Sequence, residues 1–210
     1  MPPTDIAKRI AGLPLALGWG LVVLLGMVAM VRYEMTPGAQ GSGAPRDWPR
    51  GISDISLKAD GFTLVMMVHP QCSCSLASMH ELAELMSRSE GKIAAHVLFV
   101  KPAGAPANWC DGDLWKDAKE VPDVSVAEDD NGHDAKAFRA TTSGQVVVYD
   151  GSGRIRFSGG ITDGRGHEGD NPGLSAILSL VRTGQTPLTS NPVFGCSLGV
   201  YRMETLDVKK

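Results

Sequence analysis

The segment His69-Pro70-Gln71-Cys72-Ser73-Cys74-Ser75 sets two thiols one residue apart, with an imidazole shortly before them. It follows the apolar run Phe62–Val68 and precedes Leu76, Met79, Leu82, Leu85 and Met86, whose spacings of three and four are helical. Both thiols therefore fall at a strand-to-helix junction. The free N–H groups and positive dipole end of a helix start favour a thiolate, the reactive form in disulfide exchange and in metal binding. Both chemistries are open to such a turn. Packing explains the pair poorly, because structural cysteines sit singly in apolar surroundings. Cys72, earlier in the turn, is expected to be the more exposed attacking thiol, with Cys74 resolving it. His69 either stabilises a thiolate, offers an imidazole ligand or merely closes the strand, and Pro70 makes the approach to Cys72 rigid.

Two further cysteines complicate the pairing. Cys196 lies in the apolar segment Asn191-Pro-Val-Phe-Gly-Cys-Ser197 beyond the last helical pattern, and Cys110 in the loop-like Asn108-Trp-Cys-Asp111. Cys196 is a third thiol beside the pair, a partner for Cys110, or a free cysteine. Four cysteines allow three full pairings. Cys72–Cys74 is the preferred functional couple because neighbouring thiols have the highest effective concentration. The loop Asp163-Gly-Arg-Gly-His167-Glu168-Gly-Asp170-Asn171 gathers Arg165 and His167 in a glycine-rich setting, either as part of a site or as a solvated turn. Glu128-Asp-Asp130 reads as an acidic loop leading into a helix start. The methionines at 66, 67, 79 and 86 read as core fillers rather than copper ligands.

The elements that must hold these residues occupy a chain of 210 residues with a net charge of −3. That length suits an anchor plus one domain, and the absence of clustered Lys and Arg speaks against a nucleic-acid partner. Residues 11–31 carry no charge and are flanked by Lys8-Arg9 and Arg32. At about 1.5 Å per residue they span roughly the 30 Å hydrocarbon layer of a bilayer. A cleaved signal peptide is the competing reading, but it usually has a shorter apolar core and a small-residue cleavage site. The expected plan is a cytoplasmic N-terminus (1–10), a single transmembrane anchor (11–31), a Gly/Ser/Pro-rich flexible linker (32–53), a domain (54–184) and a tail carrying Cys196 (185–210). Basic residues on both sides of the span leave the orientation undecided by charge. An exported domain is favoured because thiol pairs have redox work in an oxidising compartment. That gives a single-pass protein of the bacterial inner membrane with its C-terminal domain in the periplasm.

Within the domain, strand patterns at 63–68, 92–100, 124–126, 145–149 and 154–158 alternate with helical patterns at 76–88, 114–119, 132–138 and 174–183. The order implies an α/β fold, a central mixed β-sheet flanked by helices. This order, with a cysteine pair opening the first long helix, resembles the thioredoxin fold over 54–184. The motifs His69-Pro-Gln-Cys-Ser-Cys-Ser75 with Ser78-Met-His-Glu-Leu82, Thr142-Ser-Gly144 before Val146-Val-Val-Tyr-Asp150, and Gly159-Gly-Ile-Thr162 with Arg165-Gly-His-Glu-Gly169 look closest to the membrane-anchored TlpA type and its RedB-like group. The chain departs from thioredoxins twice. Their Cys-x-x-Cys is Cys-x-Cys here, which closes a small, strained and readily reduced ring. Their cis-proline, which faces the thiols, is replaced by Thr141-Thr-Ser-Gly144, making Ser143 and Gly144 supporting residues. In the thioredoxin-like register Cys74 sits nearer the second, buried cysteine, so the two thiol roles could be reversed.

The resemblance implies a membrane-tethered thiol–disulfide oxidoreductase that needs no cofactor and acts on protein disulfide or metalloprotein clients. The alternative is Cu(I) capture or delivery through Cys72, Cys74 and His69, joined by Cys196 or His167, a soft sulfur and imidazole set. A peroxidase ranks below both, since no Thr/Ser-rich pattern precedes Cys72. A scaffold role would fit the missing proline.

Overall fold

A computed structural model describes residues 3–39, 41–52 and 55–199 of the chain. The expected linker–domain boundary at 53–54, residues 1–2 of the N-terminus and residues 200–210 of the tail lie outside the described residues. The chain divides into two units, residues 1–36 and 37–210. The first holds helix α1, Pro3–Glu34. Its stretch Pro14–Glu34, 21 residues of mean hydropathy 2.2, is long and apolar enough to cross a membrane, and apolar side chains from Leu15 to Val31 are exposed along it. Such a helix is compatible with a single-pass anchor or with a signal sequence.

The second unit is built on strands β1 (Phe62–Val68), β2 (Ile93–Lys101), β3 (Val124–Asp130), β4 (Gln145–Asp150), β5 (Ile155–Gly159) and β6 (Ser190–Asn191). They form one sheet in the order β3-β2-β1-β4-β5-β6. β1, β2 and β3 run parallel, β4 is antiparallel to β1, β5 to β4, and β6 pairs in parallel with β5. Helices α2 (Cys74–Arg88), α3 (Asp113–Glu120), α4 (His133–Ala137) and α5 (Pro172–Thr183) cover the faces. The mixed sheet flanked by helices, with the Cys-x-Cys turn leaving the C-terminal end of central β1, is thioredoxin-like.

β1 is apolar at every position but Thr63 because both its faces are covered. Leu64, Met66 and Val68 pack with Leu82 and Leu85 of α2 and Ile177 and Leu180 of α5. Val65 and Met67 face the other way, toward Phe138, Val147 and Tyr149. Gly184, at φ 73°, ends α5 in the left-handed conformation that a helix stop favours.

Two expectations needed correction. The acidic stretch Glu128-Asp-Asp130 is the end of strand β3, not a loop. Glu128 meets Lys101 Nζ at 2.6 Å, and buried Asp129 accepts the Asp134 and Ala135 N–H groups, both at 2.9 Å, at the start of α4. The carboxylates are thus spent on pairing and capping. Second, the part of the expected flexible linker in residues 37–52 is bound to the domain. The Gly38 N–H donates to the Val193 carbonyl at 2.8 Å, Tyr149 Oη donates to the Pro45 carbonyl at 2.8 Å, and Thr142 Oγ1 donates to the Ala39 carbonyl at 2.9 Å. Trp48 stacks edge-on against Phe138 and Tyr149, with centroids 5.3 and 5.1 Å apart. Glycine and proline dominate this stretch, but Trp48 and Ile52 supply apolar cover for a sheet face that short α4 cannot close alone. Cys110 lies in a turn between β2 and α3, as expected of a loop residue, with its side chain buried and its sulfhydryl 3.9 Å from the Phe99 carbonyl.

Trp48→Ala should lower unfolding stability by about 2 kcal/mol, toward the low end for aromatic truncation because the side chain is only half-buried. Denaturant midpoints by circular dichroism test this. An unchanged midpoint would mean that the segment does not dock.

Candidate functional site

β1 delivers His69 and Pro70 to the end of the sheet, and the chain turns at once into α2. The Cys72 N–H donates to the His69 carbonyl at 3.0 Å, and the Ser75 N–H donates to the Cys72 carbonyl at 3.0 Å. Ser73 is already helical at φ −59° and ψ −30°, and Cys74 is the first residue of α2. Exposure reverses the expectation: Cys72 is 2% exposed, whereas Cys74 is half-buried. The reason is the tail. Residues 193–198 return across the cysteine turn, with an antiparallel bridge between Thr142 and Ser197. The Ser143 N–H donates to the Cys196 carbonyl at 2.8 Å and the Leu198 N–H to the Thr141 carbonyl at 2.9 Å. Gly195 permits this approach, since a Cβ there would stand 2.0 Å from the Ser143 carbonyl oxygen.

The result is a cluster of Cys72, Cys74 and Cys196 whose sulfurs all lie within 4.8 Å of one another. All four cysteines are free thiols. Burial pushes the Cys72 thiol up, but hydrogen bonds from the Ser75 hydroxyl, the Cys196 side chain and the Cys196 and Ser75 N–H groups outweigh it, leaving the thiol below its ordinary value. Cys196, half-buried and facing the Cys72 sulfur, is pushed up to about 12 by desolvation and by that sulfur. Of the two facing thiols, Cys72 is thus the more readily ionised and Cys196 the one that keeps its proton longer. Cys110 is pushed up to about 11 by burial and by the nearby Glu128 carboxylate, as an inert core thiol would be.

Ser143 stands at the centre of the polar support. Its hydroxyl accepts the His69 N–H at 2.7 Å and meets the Ser75 hydroxyl at 2.7 Å. Gly144, at φ 84°, donates its N–H to the Met67 carbonyl at 2.8 Å, and a Cβ there would lie 2.7 Å from the Ser78 hydroxyl. Among the described residues no peptide bond is cis. Burial holds His69 below its ordinary pKa; its Nδ1 accepts the Gln71 N–H at 3.2 Å, and its ring packs edge-on to Trp109. It shapes the turn, and no histidine nitrogen belongs to the group of ligand atoms lying within 4.8 Å of one another.

Arg165 Nη1 donates to the Gly195 carbonyl at 2.5 Å, steadying the tail beside Cys196. His167 lies exposed on the loop, outside the sulfur cluster. That loop is tied down by a residue the sequence reading missed, Glu81 of α2. This buried carboxylate accepts the Gly169 N–H at 2.6 Å and Asn171 Nδ2 at 3.1 Å, while Asn171 caps α5 through the Leu174 N–H at 2.8 Å. Ser75 was missed too. Its signal was spacing: three residues on from Cys72 it lies one helical turn away, where side chains meet.

No protein-family model matches the chain, and no curated protein matches it. Among solved structures it is similar to an uncharacterized conserved protein from Geobacillus kaustophilus, at 21% identity and TM-score 0.56, over 76% of this chain and 91% of that one. A hypothetical protein from Sinorhizobium meliloti 1021 matches at 17% identity and TM-score 0.56, over 79% and 97%. The exposed lipoprotein thioredoxin of Streptococcus pneumoniae strain TIGR4 lies further off, at 14% identity and TM-score 0.43, over 59% and 85%. These are likenesses of fold. The sheet order, with Cys72 and Cys74 at the end of β1, defines a thioredoxin-like fold.

Since the thiolate is the form that alkylates, a depressed pKa keeps Cys72 reactive at lower pH. Ser75→Ala removes a donor to it and should move the pH midpoint of Cys72 alkylation upward, toward the ordinary thiol value. Iodoacetamide labelling resolved by fragment mass spectrometry checks this; an unmoved or lowered midpoint would remove Ser75 from the account.

Proposed function

We propose that this protein is a membrane-tethered, extracytoplasmic thiol–disulfide oxidoreductase, working without a cofactor in the bacterial periplasm on protein disulfides or on metalloproteins under assembly. The observation that carries the reading is the cluster of three sulfurs within 4.8 Å of one another, with the Cys72 thiol held below its ordinary pKa by hydrogen-bond donors. A stabilised thiolate attacks a client disulfide, and a neighbouring thiol releases the client from the mixed disulfide. The apolar helix Pro14–Glu34 supports the tether, and a redox-active thiol cluster suits an oxidising compartment. His69, Pro70, Ser143, Gly144 and Arg165 serve as positioning residues.

A second reading has its own support. Three sulfurs this close form a soft, three-coordinate set suited to Cu(I) as cargo. The ligands would be Cys72, Cys74 and Cys196, with His69 and His167 outside the set. Binding would require Cys196 to lose the proton that burial holds on it.

Full-length protein in detergent, reduced and mixed with oxidised glutathione, separates the two. Exchange should fall by at least about 100-fold in Cys72→Ser and stay within about twofold in Cys110→Ala, as expected when one thiolate starts the reaction. A parallel titration with Cu(I) against a competing chelator should show weak binding. Tight one-to-one copper retention without exchange would overturn the oxidoreductase reading in favour of copper delivery.

A further inference from the structure

We propose that Cys196 is the resolving cysteine of this protein, so that its oxidised form carries a Cys72–Cys196 disulfide that locks the segment 193–198 across the cysteine turn. The inference deepens the oxidoreductase reading above and rests on it.

The argument begins with what faces Cys72. The side chain one helical turn away is Ser75, wholly buried and hydrogen-bonded to the Cys72 sulfur, and a hydroxyl cannot form a disulfide. Cys74 is closest in sequence but poorly placed. Its sulfur too lies within 4.8 Å of the Cys72 sulfur, but only helical Ser73 separates the two residues, so a disulfide between them would close a small, strained ring. Closing that pair would also distort the start of α2, where the Ser75 N–H bonds the Cys72 carbonyl and the Leu76 N–H bonds the Ser73 carbonyl at 3.3 Å. Cys196 has neither handicap. It hydrogen-bonds the Cys72 sulfur through both its side chain and its N–H, and it comes from a separate strand of chain. Its sulfur lies within 4.8 Å, so a bond of about 2 Å needs a movement of no more than about 3 Å, within reach of side-chain rotation.

The tail is also built to return to one place. The Thr142–Ser197 bridge, the two backbone hydrogen bonds from Ser143 and Leu198, the Gly38 bond to Val193 and the Arg165 bond to Gly195 fix its register. With the tail down, Cys72 is 2% exposed, so a client reaches it only when the segment lifts. The steps then balance. The Cys72 thiolate attacks a client disulfide RS–SR′; a Cys72–SR bond forms, the client S–S bond breaks, and R′S⁻ leaves and takes a proton from water. When the tail returns, Cys196 gives its proton to water and its sulfur attacks Cys72. The Cys72–Cys196 bond forms and RS⁻ leaves. One client disulfide is reduced and two protein thiols are oxidised.

The test uses the full-length chain in detergent, reduced and then oxidised with one equivalent of oxidised glutathione. Remaining thiols are blocked with N-ethylmaleimide before digestion and mass spectrometry. The expected product joins the Cys72 peptide to the Cys196 peptide, persists in Cys74→Ser and is lost in Cys72→Ser. Cys196→Ser, which keeps the backbone pairing of the tail, should instead accumulate glutathione on Cys72 by about tenfold or more, because resolution is lost. A Cys72–Cys74 or Cys74–Cys196 disulfide as the main product would overturn this inference while leaving the oxidoreductase reading intact. No internal disulfide and no glutathione on Cys72 would overturn both.

Discussion

The backbone pairing between the C-terminal segment and Thr141–Ser143 is the contact on which the site depends. Without it Cys196 would be one more thiol in a tail, and Cys72 would stand at an open turn. Two small features permit it. Gly195 has no side chain to collide with the Ser143 carbonyl, and β6 docks on β5 early enough to aim the chain back toward the turn. The burial of Cys72, its ring of donors and its meeting with a third sulfur all follow from this close approach.

A buried thiol with a lowered pKa needs such a setting. Burial alone would keep Cys72 protonated and unreactive, as it does at Cys110, which lies in the core beside a carboxylate. At Cys72 the desolvation is opposed by donors from two directions, the first turn of α2 and the tail. The pKa of the same residue type, almost equally buried, is therefore moved in opposite directions by the groups around it.

Much of this was legible in the sequence. The apolar run of β1 and the helical spacing from Leu76 to Met86 located the turn, and the strand and helix order gave the sheet. What escaped was set by contacts distant in sequence. The tail's path depends on backbone hydrogen bonds that no side-chain pattern records. Glu81 stood only inside the motif Ser78–Leu82, and its role comes from Gly169 and Asn171, 88 and 90 residues further along the chain. Asp129 was lost inside an acidic triplet, although only its carboxylate caps a helix. Segment 37–52 was judged by its glycines and prolines, whereas Trp48 governs where it lies.

The hydroxyl pair beneath the sulfur has a directional consequence. To donate to the Cys72 sulfur, Ser75 must spend its single proton there, so the Ser143 hydroxyl must give its own proton to Ser75. Ser143 in turn accepts from the His69 amide. The row His69, Ser143, Ser75, Cys72 is thus polarised one way, every proton leaning toward the sulfur. Once that sulfur is neutral, the lean has no charge to sustain it and the row is free to relax or turn about. The electronic state of the sulfur is therefore felt by the backbone at the end of β1, three hydrogen bonds away from the reacting atom.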